Sequence, residues 1–455
     1  MSFSFDKQSK KQPTEPKKGV KMRIGTNGAV SRLLKDVKIP LMFTARQVFP
    51  AERLAPDEIP TAVMAQLSQP EYASKIRPGM HIAITAGSRG IRNVDIITRA
   101  IVDFVYSRKA EPFIVPAMGS HGGATAEGQL EILEGYGITE SSMGCPIRSS
   151  METVQLGTSS LGKPVYMDKN AWESDGIIVS CRLKPHNAFR GKVESGPCKM
   201  MTIGLGKQKG ASFVHADGMD HIADNIPDMA KVVIDSGKIL FAIPCLENAY
   251  DETLKLEAIL PENILSREPE LLQEAFANMP QILVKEGDVL IVDEIGKNYS
   301  GTGVDPNITG TFSTPYAHGG VKVQRTCFLN LSEASHGNGL GVGLASAITK
   351  KIFDSLDTEK MYPNCITSTV LASARIPCVV ANDREAIQIC ILTSNRIDRD
   401  SPRVIRIHNS LHIGEIMLSE NYFEAVKAGR YPGVTALEPP KELPFDDDGM
   451  LPAEF

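Results

Sequence analysis

Tryptophan occurs once in 455 residues, aromatic residues make up 6%, and the eight cysteines include no C-x-x-C pair. Without such pairs a zinc ribbon and a disulfide framework are both disfavoured, and a reducing cytoplasm is the expected location. Several cysteines lie in apolar runs such as IIVSC and AIQICIL, where the residue serves as a small buried hydrophobe. Excess positive charge is also missing: the formal net charge is −5, which gives no general pull toward nucleic acid or an anionic membrane. No run approaches membrane-spanning length, and the Lys-rich first 22 residues lack the apolar core of a signal peptide. Residues 1–22 read as a disordered basic tail. Two catalytic signatures are absent as well. There is no H-E-x-x-H, and Gly206-Lys207-Gln208 lacks the Ser or Thr that completes a phosphate loop.

What is present is ordinary for a folded soluble chain, with 42% hydrophobic and 23% charged residues, and the length allows two or three cores. Strand-like HIAIT (His81 to Thr85) is followed by an amphipathic helix pattern from Val94 to Arg108. Strand-like PFIVP (Pro112 to Pro116) is followed by another helix pattern from Ala124 to Tyr136. This β-α-β-α rhythm predicts a parallel sheet with helices on its faces. Gly176 to Cys181 and Lys238 to Pro244 extend the strand list, and Ile264 to Met279 reads as a helix despite one early proline. The rhythm restarts with strands at Val289 to Asp293 and Cys327 to Leu331, a helix from Gly343 to Phe353, and CVVAN from Cys378 to Asn382. The expectation is an α/β protein with two domains of mostly parallel sheet, residues 23–280 and 281–435, and the active site in the cleft between them. Residues 436–455, acidic and Pro-rich, read as a poorly ordered tail.

In parallel α/β sheets ligands gather where strands end and helices begin, and four such loops are unusual. TAGSRGIRNVD puts Ser88, Arg89 and Arg92 just before a helix start, where backbone amides and an arginine fork suit an anion. PAMGSHGGATAEG holds His121 among small residues, with Thr125 placed to cap the next helix. KPHNAFRGKVESGPCK and its continuation offer His186, Lys199, His215 and His221. DEIGKNYSGTGVDPN sets Glu294, Lys297, Ser300 and Asp305 among glycines. Each loop alone is compatible with a solvated turn. Histidines and basic groups on separate loops, with no clustered metal ligands, suit an acid/base pair with anion clamps better than a zinc hydrolase. GNGLGVG, from Gly337 to Gly343, reads as a helix-start turn.

Taken in order, these loops resemble the nickel-dependent lactate racemase family. The motifs are Gly119-Ser120-His121, then Pro185-His186, then Ser195-Gly196-Pro197-Cys198-Lys199, then His215 sixteen residues after the lysine. The resemblance implies a nickel-pincer nucleotide, a pyridinium-3,5-bisthiocarboxylic acid mononucleotide, attached covalently to Lys199, with His215 as the protein's nickel ligand. It implies that His121 and His186 are opposed acid/base residues that serve a racemase or epimerase of a 2-hydroxy acid, with the α-hydride moving to the pyridinium ring. Arg89 and Lys297 would bind the substrate carboxylate, and Ser88, Gly119, Ser120 and Thr125 would lie against the nucleotide. Partners would be the small-molecule substrate and the enzymes that build the cofactor: a carboxylase, a sulfur transferase and a nickel insertase. A homo-oligomer is compatible with the reading, and neither nucleic acid nor a membrane is implied.

The chain departs from the family pattern around the substrate. The His186 to Lys199 stretch is three residues longer than in the lactate enzyme. His121 is followed by two glycines instead of Arg-Pro, and Ala86 stands where an acidic residue is usual. These changes favour a larger or more polar acid, such as a sugar acid or a hydroxy-diacid, at least as much as lactate. Two other readings of the same residues are a cofactor-free lyase with a Schiff base on Lys199 and a nucleotide-binding protein without chemistry.

Overall fold

Two sheets with opposite relations to the chain order organise the molecule. A computed structural model describes residues 24–26, 28–88 and 91–452. The first sheet has five strands in the order Glu111–Pro116, His81–Ala86, Gly176–Arg182, Ile239–Glu247, Thr253–Leu256; the first four are parallel and the last is antiparallel. Alternate residues of these strands enter different cores. Ala83, Ile177, Val179 and Ala242 face one, and Ile82, Ile84, Ile178 and Ile243 the other. A strand apolar on both faces reads as a continuous hydrophobic run, which is why HIAIT and GIIVSC stand out in the sequence. The helix Val94–Ser107 supplies Ile97, Ile101, Phe104 and Val105 at helical spacing to the second of these cores. Full burial of each such side chain contributes about 1.5–3 kcal/mol.

The second sheet has eight strands in the order Cys378–Val380, Ala347–Thr349, Arg325–Leu331, Val289–Ile295, Val404–Ile407, Glu415–Ser419, Met42–Gln47, Val434–Ala436. Its first five strands are parallel and the remaining pairings antiparallel. The fold is therefore mixed α/β with mostly parallel sheets, as the sequence predicts.

Three expectations are corrected. Sheet membership does not follow the division at 23–280 and 281–435, because Met42–Gln47 is hydrogen-bonded between two C-terminal strands. Residues from 436 onward are packed: Lys441 pairs with Met42, Leu443 is buried, and the Leu451 N–H donates to Asp383. The span read as a helix from Gly343 to Phe353 contains the strand Ala347–Thr349, second from one edge of the sheet with all three residues buried, and the helix Lys350–Ser355 begins only after Thr349 caps it. Residues 1–22 lie outside the described residues. Among the described residues no helix is long and apolar enough to cross a membrane.

In the first sheet the chain leaves His81–Ala86 toward one edge and Gly176–Arg182 toward the other. The connections diverge above these two neighbouring strands, opening a crevice at their carboxyl ends. The loops of Ser88, His121 and His186 all leave the sheet at this end.

Candidate active site

The loop after Glu111–Pro116 is shaped by glycine. Gly119 has φ +60°, and a Cβ there would stand 3.1 Å from Ile203 Cγ2 and 3.2 Å from its carbonyl oxygen. Its N–H donates to Gly204 O at 3.2 Å, so this loop lies directly on the segment that follows Lys199. Ser88 Oγ is hydrogen-bonded to His121 Nδ1, and the exposed imidazole is thereby oriented. Thr125 caps the helix Ala126–Gly135 by accepting from Gly128 N–H at 3.0 Å, as its position predicts. Two of the three hydroxyls expected near the nucleotide, those of Ser88 and Thr125, are thus engaged with protein groups, and the third residue, Ser120, is half-buried.

The loop from Lys184 to Ser195 is pinched shut by a backbone pair between its ends, Lys184 N–H to Ser195 O at 2.8 Å and the return bond at 3.3 Å. Buried Glu194 fills it, accepting from the backbone N–H of His186 at 2.6 Å and from Arg190 at 3.3 Å. The His186 ring packs on Phe189 at 4.4 Å between centroids. Its Nδ1 accepts from Ala188 N–H at 3.1 Å, which leaves the proton of the neutral ring on Nε2. Burial, and then the charges of Lys199, His215, Lys184 and Arg190, hold its pKa well below the usual histidine range. His186 is accordingly a neutral hydrogen-bond donor.

Lys199 sits where the short helix Pro197–Lys199 passes into the π-turn Met200–Gly204, an irregularity frequent at functional sites. Its ammonium donates to Ser195 Oγ at 3.4 Å and is close enough to His186 and His215 to depress both. His215 ends the helix Lys207–His215. A helix carboxyl end normally favours a protonated imidazole, yet burial and then Lys199 lower this one to about 4. Its Nδ1 is buried with no hydrogen-bond partner among the described residues.

The structure thus groups His186, Lys199 and His215, and ties His121 to them through the contact between Gly119 and Gly204. Lys297 stands apart in role: its ammonium donates to Gly301 O at 2.6 Å within its own loop. That loop nevertheless meets the His186 loop through Asn187 and Ser300 at 3.1 Å. A cavity of about 90 Å³ is lined by Lys184, Pro185 and Asn248 from the first sheet's loops and by Tyr299, Asp305 and Ser410 from the second's. Arg89 lies outside the described residues. His221 is exposed beside Asp220, Glu294 accepts from Tyr299, and Asp305 caps the helix Pro306–Thr309, which are local structural roles.

Sequence reasoning misses three buried ionisable side chains here. Lys207 and Asp168 form an ion pair at 3.1 Å with both side chains fully buried, and burial lowers the lysine and raises the aspartate against their mutual attraction. Glu268 lies in the helix Ile264–Asn278 and accepts from the Cys198 N–H at 2.9 Å, steadying the turn that presents Lys199. The available signal was its position four residues after buried Ile264, a carboxylate on an apolar stripe.

Burial raises the Glu268 pKa from 4.5 to about 7. The native state therefore holds a proton there that the unfolded chain releases, and stability falls as pH rises from about 4.5 to about 7. Glu268→Gln is expected to leave stability at pH 5 nearly unchanged and to raise it at pH 8 by about 1–3 kcal/mol. Denaturant melts at the two pH values check this; equal effects at both would show that Glu268 does not titrate in the fold.

Residues 34–224 match the family model for the lactate racemase N-terminal domain, a span that includes His121, His186, Lys199 and His215. A solved structure, the lactate racemase apoprotein from Thermoanaerobacterium thermosaccharolyticum, aligns with 86% of this chain and 91% of its own at 12% identity, with a TM-score of 0.44. No curated protein sequence matches the chain. The family resemblance therefore rests on residues 34–224, which are similar to the lactate racemase N-terminal domain.

Proposed function

We propose that the protein is a racemase or epimerase of a 2-hydroxy acid that works with a nickel-pincer nucleotide tethered to Lys199. The observation that supports this most is the pair of buried imidazoles, His186 and His215, both close enough to the Lys199 ammonium for its charge to add to burial in favouring their neutral forms. Among the described residues no group of three or more His, Cys, Asp or Glu side chains could hold a metal. A metal here would need donors from a bound group in addition to His215, whose neutral ring is a suitable single ligand. The residues fit a lysine-tethered group that brings its own soft donors. When bound, such a nucleotide supplies sulfur and carbon donors to nickel and an acceptor for the substrate's α-hydride.

The chain's residues do the proton work. In one direction His121, held at Nδ1 by Ser88, takes the hydroxyl proton at Nε2, and His186, entering as the imidazolium, returns a proton to the oxygen at the reacting carbon and is left in the neutral form that burial favours. In the reverse direction the two exchange roles, which inversion at one carbon requires. Arg89 and Lys297 are assigned to the substrate carboxylate and the 90 Å³ cavity to the rest of the acid. Its polar lining suits a sugar acid or a hydroxy-diacid. Enzymes that assemble the nucleotide are the expected protein partners.

The test is production together with those enzymes. Intact mass should show an adduct lost in Lys199→Ala, and metal analysis about one nickel per chain, lost in His215→Ala. Turnover of a panel of 2-hydroxy acids in D2O should leave the α-hydrogen in place by NMR. Rapid solvent deuterium at that carbon would reject the reading and favour proton abstraction or a Schiff base.

A further inference from the structure

We propose that Lys207 is a positioning residue for His121, holding the histidine's loop in place through the Gln129 side chain. The inference rests on the acid/base role given to His121 above. Lys207 adopts φ 56°, a left-handed conformation uncommon outside glycine, at the first position of the helix that ends in His215. Such an outlier persists only where its surroundings hold it. Here the surroundings are polar and dry. The ammonium donates to Pro116 O, the last residue of the strand before the His121 loop, and to Gln129 Oε1 at 3.1 Å, and it pairs with Asp168. Gln129 is itself fully buried.

An ammonium has hydrogens to give and no lone pair to accept with. Facing it, Gln129 must present its oxygen, and its amide nitrogen is therefore turned the other way. That nitrogen donates to Gly119 O at 3.1 Å and His121 O at 3.3 Å. The charge thus fixes which end of the amide meets the loop, and the loop's two carbonyls are held only in that orientation. Asp168 anchors the other side, since it also caps the helix Lys169–Glu173 by accepting from Ala171 N–H at 2.9 Å. A buried ion pair is a poor route to stability compared with apolar side chains of the same volume. Its value here is orientation.

Hydrogen exchange followed by mass spectrometry on the protein as isolated tests this without any turnover. In Lys207→Met and in Gln129→Met, amides of residues 117–125 should exchange about tenfold faster than in the unaltered protein, while the strands His81–Ala86 and Ile239–Glu247 stay protected. Gln129→Met keeps the Lys207–Asp168 pair, so it carries the test alone if Lys207→Met does not fold. Unchanged exchange at 117–125 in the folded variant overturns the proposal, whatever the protein's activity proves to be. In the loaded enzyme, Lys207→Met should lower kcat about tenfold with KM within about twofold, and should add nothing in a His121→Ala background. Multiplication of the two losses would show that Lys207 acts on something other than His121, and would overturn it as well.

Discussion

In the protein loaded as proposed, replacing His186 with alanine is expected to lower kcat by about 10²–10⁴-fold while the proposed Lys199 adduct and nickel content stay at the level of the unaltered protein. The ring is locked: Ala188 N–H occupies Nδ1, Phe189 lies against one face, and burial keeps the imidazole neutral. Alanine removes the donor and leaves that geometry without a proton to give. His121→Ala should cost a similar factor, and the two variants should differ in direction. If the histidines serve opposite faces, each variant still takes the hydroxyl proton of one epimer and fails with the other. Single-turnover measurements starting from each epimer would show this as opposite preferences. Equal losses from both epimers in both variants would place the histidines on one face and remove the basis for inversion.

Arg406→Met is expected to destabilise the protein by about 3–5 kcal/mol, a fall in Tm of about 10 °C. Arg406 is buried in the second sheet and its Nε donates to Asp293 at 2.7 Å, with the Lys351–Asp383 pair nearby. Even with the arginine present, burial raises the Asp293 pKa to about 6. Its native-state pKa thus lies above the unfolded value, so ionisation of this group costs stability as pH rises through about 6. Without the guanidinium that cost grows. The loss should therefore be larger at pH 8 than at pH 5, and Arg406→Met combined with Asp293→Leu should recover most of it. A pH-independent loss would indicate a packing defect.

The parts of this molecule legible in the sequence are those written in local chemistry. HIAIT, PFIVP and GIIVSC announce buried parallel strands because both faces are apolar, and Thr125 announces a helix start because its hydroxyl fits the cap. The order of Gly119-Ser120-His121, His186, Lys199 and His215 carries the family resemblance, and the structure brings their loops to one end of the first sheet. What the sequence hides depends on partners far along the chain. Nothing in MFTARQ says that Met42 will face Ser419. Ala347–Thr349 is three residues long, and its place between two parallel strands outweighs the helix pattern that runs through it. Lys207 resembles any lysine of a glycine-rich loop until Asp168 and Gln129 are brought to it. The bond from the Lys297 ammonium to Gly301 O within its own loop is likewise set by the folded backbone and not by any local pattern.

The strand Met42–Gln47 has a consequence for synthesis. Its partner, Glu415–Ser419, follows more than 370 residues later. At about 5–20 residues per second the ribosome needs roughly 20–75 s to deliver that partner. During this interval the strand, which buries Met42, Phe43 and Ala45 when paired, emerges with its hydrogen-bonding edges open. The first sheet spans residues 81–256 without interruption and can close in the meantime. Assembly is therefore ordered: the candidate-site loops of the first sheet take shape early, and completion of the second sheet waits for the chain's end. A nascent chain halted near residue 400 would hold the first sheet and an unmatched strand, the state in which a holdase chaperone has most to protect.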